Sequence, residues 1–217
     1  MKTREPSEEV FLKDVSGHEM KILNDQGVYR HLLFKRHGNS DLWFEIITWP
    51  GKLAISGDMG TYVFSRLPDM FEFFRSERST ENGLFVNLSY WGEKLEAVDN
   101  HRHQPGYKEF SLDRFKDNVH EDLASWLESP GLTKDEQDEL RQMVASMLGD
   151  LSEDDERSAY EAVQDFSHTI RKQKFEFSEP WEWNSKVYTY DYVWCSFAIA
   201  WAIRKYDERP SDAFQAA

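Results

Sequence analysis

Asp99, His101 and His103 lie in the stretch D-N-H-R-H-Q-P-G-Y, residues 99–107. A carboxylate and two imidazoles in alternation could supply three donors to a transition metal, which would activate a water for hydrolysis. The same stretch is polar and carries Pro105-Gly106, and no second cluster is spaced to complete the site. Solvated loop histidines are its ordinary explanation, so the sequence implies no cofactor. Asp58, in G-D-M-G, could be a catalytic carboxylate at a loop tip with Glu45 or Asp69 as its partner. An Asp between glycines is first of all turn chemistry. The lone thiol, Cys195, sits in an apolar run where a thiolate is disfavoured. Neither a nucleophile elbow nor a phosphate-cradling glycine loop is present. These observations favour a protein without catalysis.

Two further constellations could bind rather than react. Trp43, Tyr62, Trp91 and Lys94 would make an aromatic and cationic platform for a nucleotide if one sheet face were open. If that face is covered, the rings are core. The other is a set of carboxylates at two helix starts: Asp135, Glu136, Asp138 and Glu139, then Glu153, Asp154, Asp155 and Glu156. Over residues 134–157, with Asp150, nine acids face Lys134, Arg141 and Arg157, a net of −6. Helix capping and dipole effects account for some of this charge. A solvated face accounts for more. The sharper interpretation is a negative surface that occupies the basic groove of a partner. Arg171, Lys172 and Lys174, a basic cluster in the acidic background, are expected to pair with nearby carboxylates.

The elements that must position these groups follow from periodicity. Residues 42–75 form the most strongly patterned segment. β-Branched and aromatic residues in LWFEIITW predict a strand, Pro50-Gly51 a turn, and KLAIS a second strand with Leu53 and Ile55 on one face. The G-D-M-G turn leads into TYVFSRL, and Pro68-Asp69 opens a helix whose Met70, Phe71, Phe73 and Phe74 pack on the sheet. Residues 21–23 and 31–36 add strands, giving an antiparallel meander of four or five. Residues 83–91 fit a strand or the start of a helix.

Helices follow. Ser111 caps one with the stripe Leu112, Phe115, Val119, Leu123 and Trp126. Thr133 and Glu136 match a capping box, and Gly149 closes that helix. Ser152 is expected to open another, running through Ala159, Val163 and Phe166 to Ile170. Phe175 to Tyr192 alternate in part like strand residues, whereas residues 191–206 suit a helix apolar nearly all round, which is normally buried. The expected fold is α+β, an antiparallel sheet in the N-terminal half packed by helices from the C-terminal half. Residues 1–20 are expected to be loosely held, and 21–217 to form one domain with a sheet-rich part, 21–98, and a helical part, 108–217.

Composition narrows the classes. In 217 residues there are eight Trp, nine Tyr and fifteen Phe, ample for a core, and the net charge is −14. Residues 1–75 are near neutral at −1, whereas 76–217 carry −13. Such a field repels nucleic acid and anionic membranes and favours cationic protein surfaces. One cysteine excludes an internal disulfide. No basic-then-apolar leader opens the chain, and the longest apolar run falls short of a membrane span, which points to a soluble intracellular protein. Self-association into a homodimer is left open.

The segments GVYRHLLFKR, WFEIITWPGKLAISGDMGTYVFSRLPDMFEFFR and YVWCSFAIAWAIRKYD resemble a family of uncharacterised proteins encoded by tailed phages and prophages. The likeness spans roughly residues 22–206 and is most specific over 43–75. It implies a context, the cytoplasm of an infected bacterium, but no activity, cofactor or catalytic residue. Together these features suggest an acidic, non-enzymatic inhibitor of a host nucleic-acid-handling or defence complex. The alternatives are a nucleotide-sequestering protein and a metal-dependent hydrolase.

Overall fold

The computed structural model describes residues 5–75, 83–99, 106–128, 131–152 and 155–209. Helix α1 (Glu8–Asp14) comes first, capped by the Ser7 hydroxyl. Strands β1 (His18–Gln26), β2 (Tyr29–Arg36), β3 (Phe44–Trp49), β4 (Lys52–Gly57) and β5 (Gly60–Ser65) follow, then the short helices α2 (Met70–Phe74) and α3 (Leu88–Gly92) and the strand β6 (Leu95–Val98). Beyond β7 (Lys108–Phe110) come α4 (Leu112–Leu127), α5 (Lys134–Gly149) and α6 (Glu156–Asp165). The hairpin β8 (Ser167–Ile170) and β9 (Gln173–Glu176), a 3-10 turn (Pro180–Glu182), β10 (Lys186–Tyr188) and α7 (Tyr190–Asp207) complete the chain.

The fold is α+β, with an antiparallel sheet packed by the C-terminal helix. Contacts divide the chain into two compact units, residues 1–108 with 188–217 and residues 109–187. This replaces the single domain expected over 21–217. The change from sheet to helix falls where the sequence places it, but α7 returns to the first unit.

In the first unit β1 to β6 pair in sequence order, each antiparallel to the next. Alternation decides which side is core. Leu32 and Phe34, Phe44 and Ile46, Leu53 and Ile55, and Tyr62 and Phe64 are buried on one face. The registers Leu32↔Ile46 and Ile46↔Ile55 align these side chains across the strands. Helix α7 supplies the opposing layer. Trp194, Ala198, Ile199 and Ala202 are each fully buried, and Trp194 meets Phe44 edge-on at 5.6 Å. A narrow face, through Phe197, Ala200, Arg204 and Asp207, is half-buried or exposed, as expected from a pattern apolar nearly all round.

The terminus is not loose from residue 8 onward, which corrects the expectation for 1–20. Phe11 is fully buried, with its ring 5.1 Å from that of Trp194 and stacked at 5.8 Å on Phe197. The indole N–H of Trp194 donates to Asp14 at 3.1 Å. One aromatic side chain with a helix cap is enough to hold a seven-residue helix whose other residues are exposed or half-buried.

Turn chemistry fixes the meander. Gly51 has φ +80°, as the Pro50-Gly51 pair predicts. Gly57 is required by contact, because a Cβ there would lie 2.2 Å from the carbonyl oxygen of Trp43. Residues 83–91 resolve as a turn of helix capped by Asn87, and the sixth strand begins only at Leu95.

In the second unit α4, α5 and α6 pack around Phe115, Val119, Leu140, Val144 and Val163. The Ser111 cap and the Thr133–Glu136 capping box form as predicted. The expected helix from Ser152 to Ile170 is shorter at both ends. Asp155 is its cap, accepting from the Ser158 N–H at 2.9 Å, and Ile170 lies instead on β8. The chain turns there through Arg171 and Lys172, both at positive φ.

A buried polar network ties β2 to α2 and α7. The Arg30 guanidinium donates two bonds to Asp69, at 2.9 and 2.8 Å, and one to the Tyr206 hydroxyl at 3.3 Å. It also lies over the Phe71 ring at 4.5 Å. Tyr206 donates onward to Asp25 at 2.7 Å. Burial alone would raise the Asp69 pKa, but the hydrogen bonds from Arg30 and the Phe71 N–H outweigh it and hold the carboxyl below its usual value. A depressed carboxylate stabilises the fold above its unfolded pKa and loses that contribution as pH falls through the folded value. Asp69→Ala, which strands a buried guanidinium and removes the α2 cap, should cost about 3–5 kcal/mol in urea titration at neutral pH. The gap between variant and wild type should narrow below about pH 4. A gap independent of pH would assign the loss to packing.

Candidate functional site

Of the metal-site residues, His101 and His103 lie outside the described residues. Asp99 follows β6, its N–H donating to the Thr61 carbonyl at 2.9 Å. Among the described residues no group of three or more His, Cys, Asp and Glu side chains could hold a metal ion.

The aromatic platform does not assemble on a surface. Tyr62 and Trp91 are buried in the core of the first unit, at 4 % and 3 % exposure. Trp91 meets Phe74 edge-on at 4.7 Å. Lys94 instead covers the Tyr90 ring at 4.8 Å and pairs with Glu93, while Trp43 stays half-buried beside the turn at Gly57. The reason is register. Tyr62 follows the inward alternation of β5, so a ring that could stack on a base packs on Tyr192, 5.7 Å away. The Tyr62 hydroxyl is pushed well above its ordinary pKa, first by burial.

The three carboxylates weighed for acid–base work are each committed elsewhere. Asp58 accepts from the Leu42 N–H at 2.6 Å, and Leu42 has φ +59°. Asp58 therefore holds a left-handed residue in place, the turn role its glycines suggest. Glu45 pairs with His31 at 2.7 Å across the sheet, and Asp69 binds Arg30. Cys195 is 2 % exposed, with Sγ 3.6 Å from the Met59 carbonyl oxygen. Burial raises its thiol pKa well above the ordinary value, against any role as a nucleophile.

The acidic helix starts contain much local pairing. Glu136 pairs with Arg171 at 2.6 Å and accepts the Thr133 N–H and hydroxyl, which lower its pKa. Asp138 binds Arg141 at 3.0 Å, Glu139 lies 3.7 Å from His168, and Glu156 reaches Lys186 at 3.4 Å. Hydrogen bonds from Ser158 lower the Asp155 pKa. Asp135 alone has no such partner among the described residues, and Glu153 and Asp154 lie outside them. In the basic cluster Arg171 pairs with Glu136 and Lys174 with Glu176.

Further open carboxylates are on α4 and at its C-cap, outside the acidic runs at the starts of α5 and α6. Asp117, Glu121 and Glu128 are exposed and make no ion pair among the described residues. With Asp113 they span an arc of about 80° at 3.6 residues per turn. The apolar stripe of α4 occupies the other side. A shallow cleft of about 410 Å3 beside this arc is lined by Arg114, Asp117, Asn118, His120 and Glu121. The signal was available: acids at i, i+4 and i+8 between the stripe positions of a helix already recognised. Like charges at that spacing cost a helix about 0.2–0.5 kcal/mol per pair.

The second unit holds nine Lys and Arg against twenty Asp and Glu, a net of −11 of the chain's −14. No helix among the described residues is long and apolar enough to cross a membrane. No family model, curated protein or solved structure matches the chain. The Cys195 environment yields a direct expectation. A disulfide thiol reagent should leave the native protein unmodified and react with one equivalent in denaturant. Fast labelling of the native protein at neutral pH would reopen the nucleophile assignment.

Proposed function

We propose that the protein acts by binding, without catalysis, and that its 109–187 unit docks on a cationic face of a macromolecular partner. The observation that carries this reading is the confinement of −11 to a 79-residue unit with its own core. The open carboxylates Asp117, Glu121 and Glu128 on one arc of α4 support it. Charges already paired within the fold contribute little to a partner. Exposed carboxylates backed by a packed helix can be satisfied by incoming lysine and arginine, raising the association rate and rejecting anionic competitors. The docking site therefore centres on α4, with the starts of α5 and α6 as largely neutralised surroundings.

Taken with the phage-like segments, this reading makes the partner a host protein complex that handles nucleic acid or defends the cell, met in the bacterial cytoplasm. The protein would act as an inhibitor by occupying a groove built for phosphates. The buried Tyr62 and Trp91 leave the nucleotide-sequestering alternative without a platform.

The test is capture from bacterial lysate by the immobilised full chain, compared with a triple variant, Asp117→Lys, Glu121→Lys and Glu128→Lys. A species held at low salt should elute as ionic strength rises and the Debye length falls below about 8 Å. The triple variant should bind it roughly tenfold more weakly or worse. Glu72→Lys, in the first unit, should capture it normally. Equal retention by wild type and triple variant would end the proposal.

A further inference from the structure

Trp181 keeps 68 % of its surface in water, the most of any large hydrophobic side chain described. It lies in the 3-10 turn Pro180–Glu182 of the second unit, between Glu179 and Glu182. Both acids are exposed and neither has an ion-pair partner among the described residues. An exposed indole between two open carboxylates is an unusual use of the residue type that contributes most to binding hot spots.

The turn that carries it is fixed from beneath. Pro180 is buried, and Phe177 and Trp183 meet at 5.8 Å with perpendicular rings. Trp183 also packs against Phe115 of α4 at 5.7 Å. The Glu182 N–H donates to the Glu179 carbonyl at 2.9 Å, and the Ser178 N–H donates to the Asp122 carboxylate at 3.0 Å. Glu179 sits at φ +43°, ψ +53°, the left-handed region that glycine enters without strain and a β-carbon disfavours. A glutamate there places an acidic residue two positions before Trp181 at a cost in backbone strain. Fixed aromatic surface of this kind loses little conformational freedom on binding.

We infer that Trp181 is an aromatic anchor of the acidic unit, and that its occupant is an arginine-rich segment of a protein partner. A guanidinium lies over the indole face while Glu179 and Glu182 take up its charge. Charge complementarity selects this occupant, since the unit's net −11 repels nucleic acid and anionic lipid. Arginine stacks on aromatic faces better than the strongly hydrated lysine ammonium, so the site prefers arginine. The inference rests on the docking role proposed for this unit and names the side chain chemistry it would read.

The test uses the full chain and fluorescein-labelled nona-arginine or nona-lysine, followed by anisotropy at low salt. Trp181→Ala should weaken nona-arginine binding roughly two- to five-fold and nona-lysine binding less. Trp181→Phe should recover part of the loss. Glu179→Gly should weaken binding while leaving the melting temperature unchanged or higher. Because the indole is exposed, melting curves should match the wild type for both Trp181 variants. If Trp181→Ala binds nona-arginine as the wild type does while the α4 triple variant binds it weakly, the anchor is overturned and the docking role stands. If the triple variant is also unaffected, both are overturned.

Discussion

Helix α7 is apolar on nearly every side, so it has to be enclosed, and most of the first unit can be understood as its enclosure. The inward face of the meander covers one side of it. Phe11 of α1, packed on Trp194, Phe197 and Trp201, covers another. Phe71 of α2 meets Tyr206 near the C-terminal end. Each fully buried large side chain contributes about 1.5–3 kcal/mol relative to exposure. That is why two short helices with little intrinsic stability of their own are held in place. The sheet in turn depends on α7. A twisted antiparallel meander with one row of aromatics uncovered would expose a large contiguous apolar surface.

Polar groups supply the specificity that apolar burial lacks. Arg30 replaces an apolar residue on the inward side of β2 and finds Asp69, Tyr206 and the Phe71 ring around it. Asp25 and Arg209 extend the network, with the Arg209 guanidinium over Tyr206 at 3.5 Å and bonded to Asp25 at 3.0 Å. A buried ion pair adds little net stability over a well-packed apolar pair, but a misplaced one is costly. Registers of β2 or α7 that separated these groups would leave buried charges unmatched. The network therefore restricts how the last helix can seat.

Much of the fold was legible because it follows period and punctuation. The strands of residues 44–65, the Asp69 cap, the Ser111 cap, the Thr133–Glu136 box and the buried character of α7 are all written locally. Three features were not. Helix α1 depends on Phe11 meeting tryptophans about 180 residues away in sequence, which no local pattern records. The β8–β9 hairpin turns through Arg171-Lys172 at positive φ, where Asn-Gly or Asp-Gly would have announced it. With the hairpin hidden, the local pattern carries Ile170 on as the continuation of a helix. Charge density in sequence marks the starts of α5 and α6 as acidic, whereas availability depends on pairing in space. Arg171, distant in sequence from Glu136, neutralises a group that looked open, while the α4 acids are spread too thinly along the chain to register as a run.

The second unit enters through β7 and leaves through β10, and these two short strands pair. The seventy-nine residues of the second unit fall between the last strand of the meander and the helix that must close it. As an unstructured loop, that insert would oppose closure through its entropy. Once it folds about its own core, its ends are neighbours and the effective loop shrinks to a few residues. The logarithmic dependence of closure entropy on length puts the saving at about 2 kcal/mol. Maturation of the first unit is thereby coupled to prior collapse of the second. A lesion deep in the helical insert would then delay completion of the sheet of the first unit.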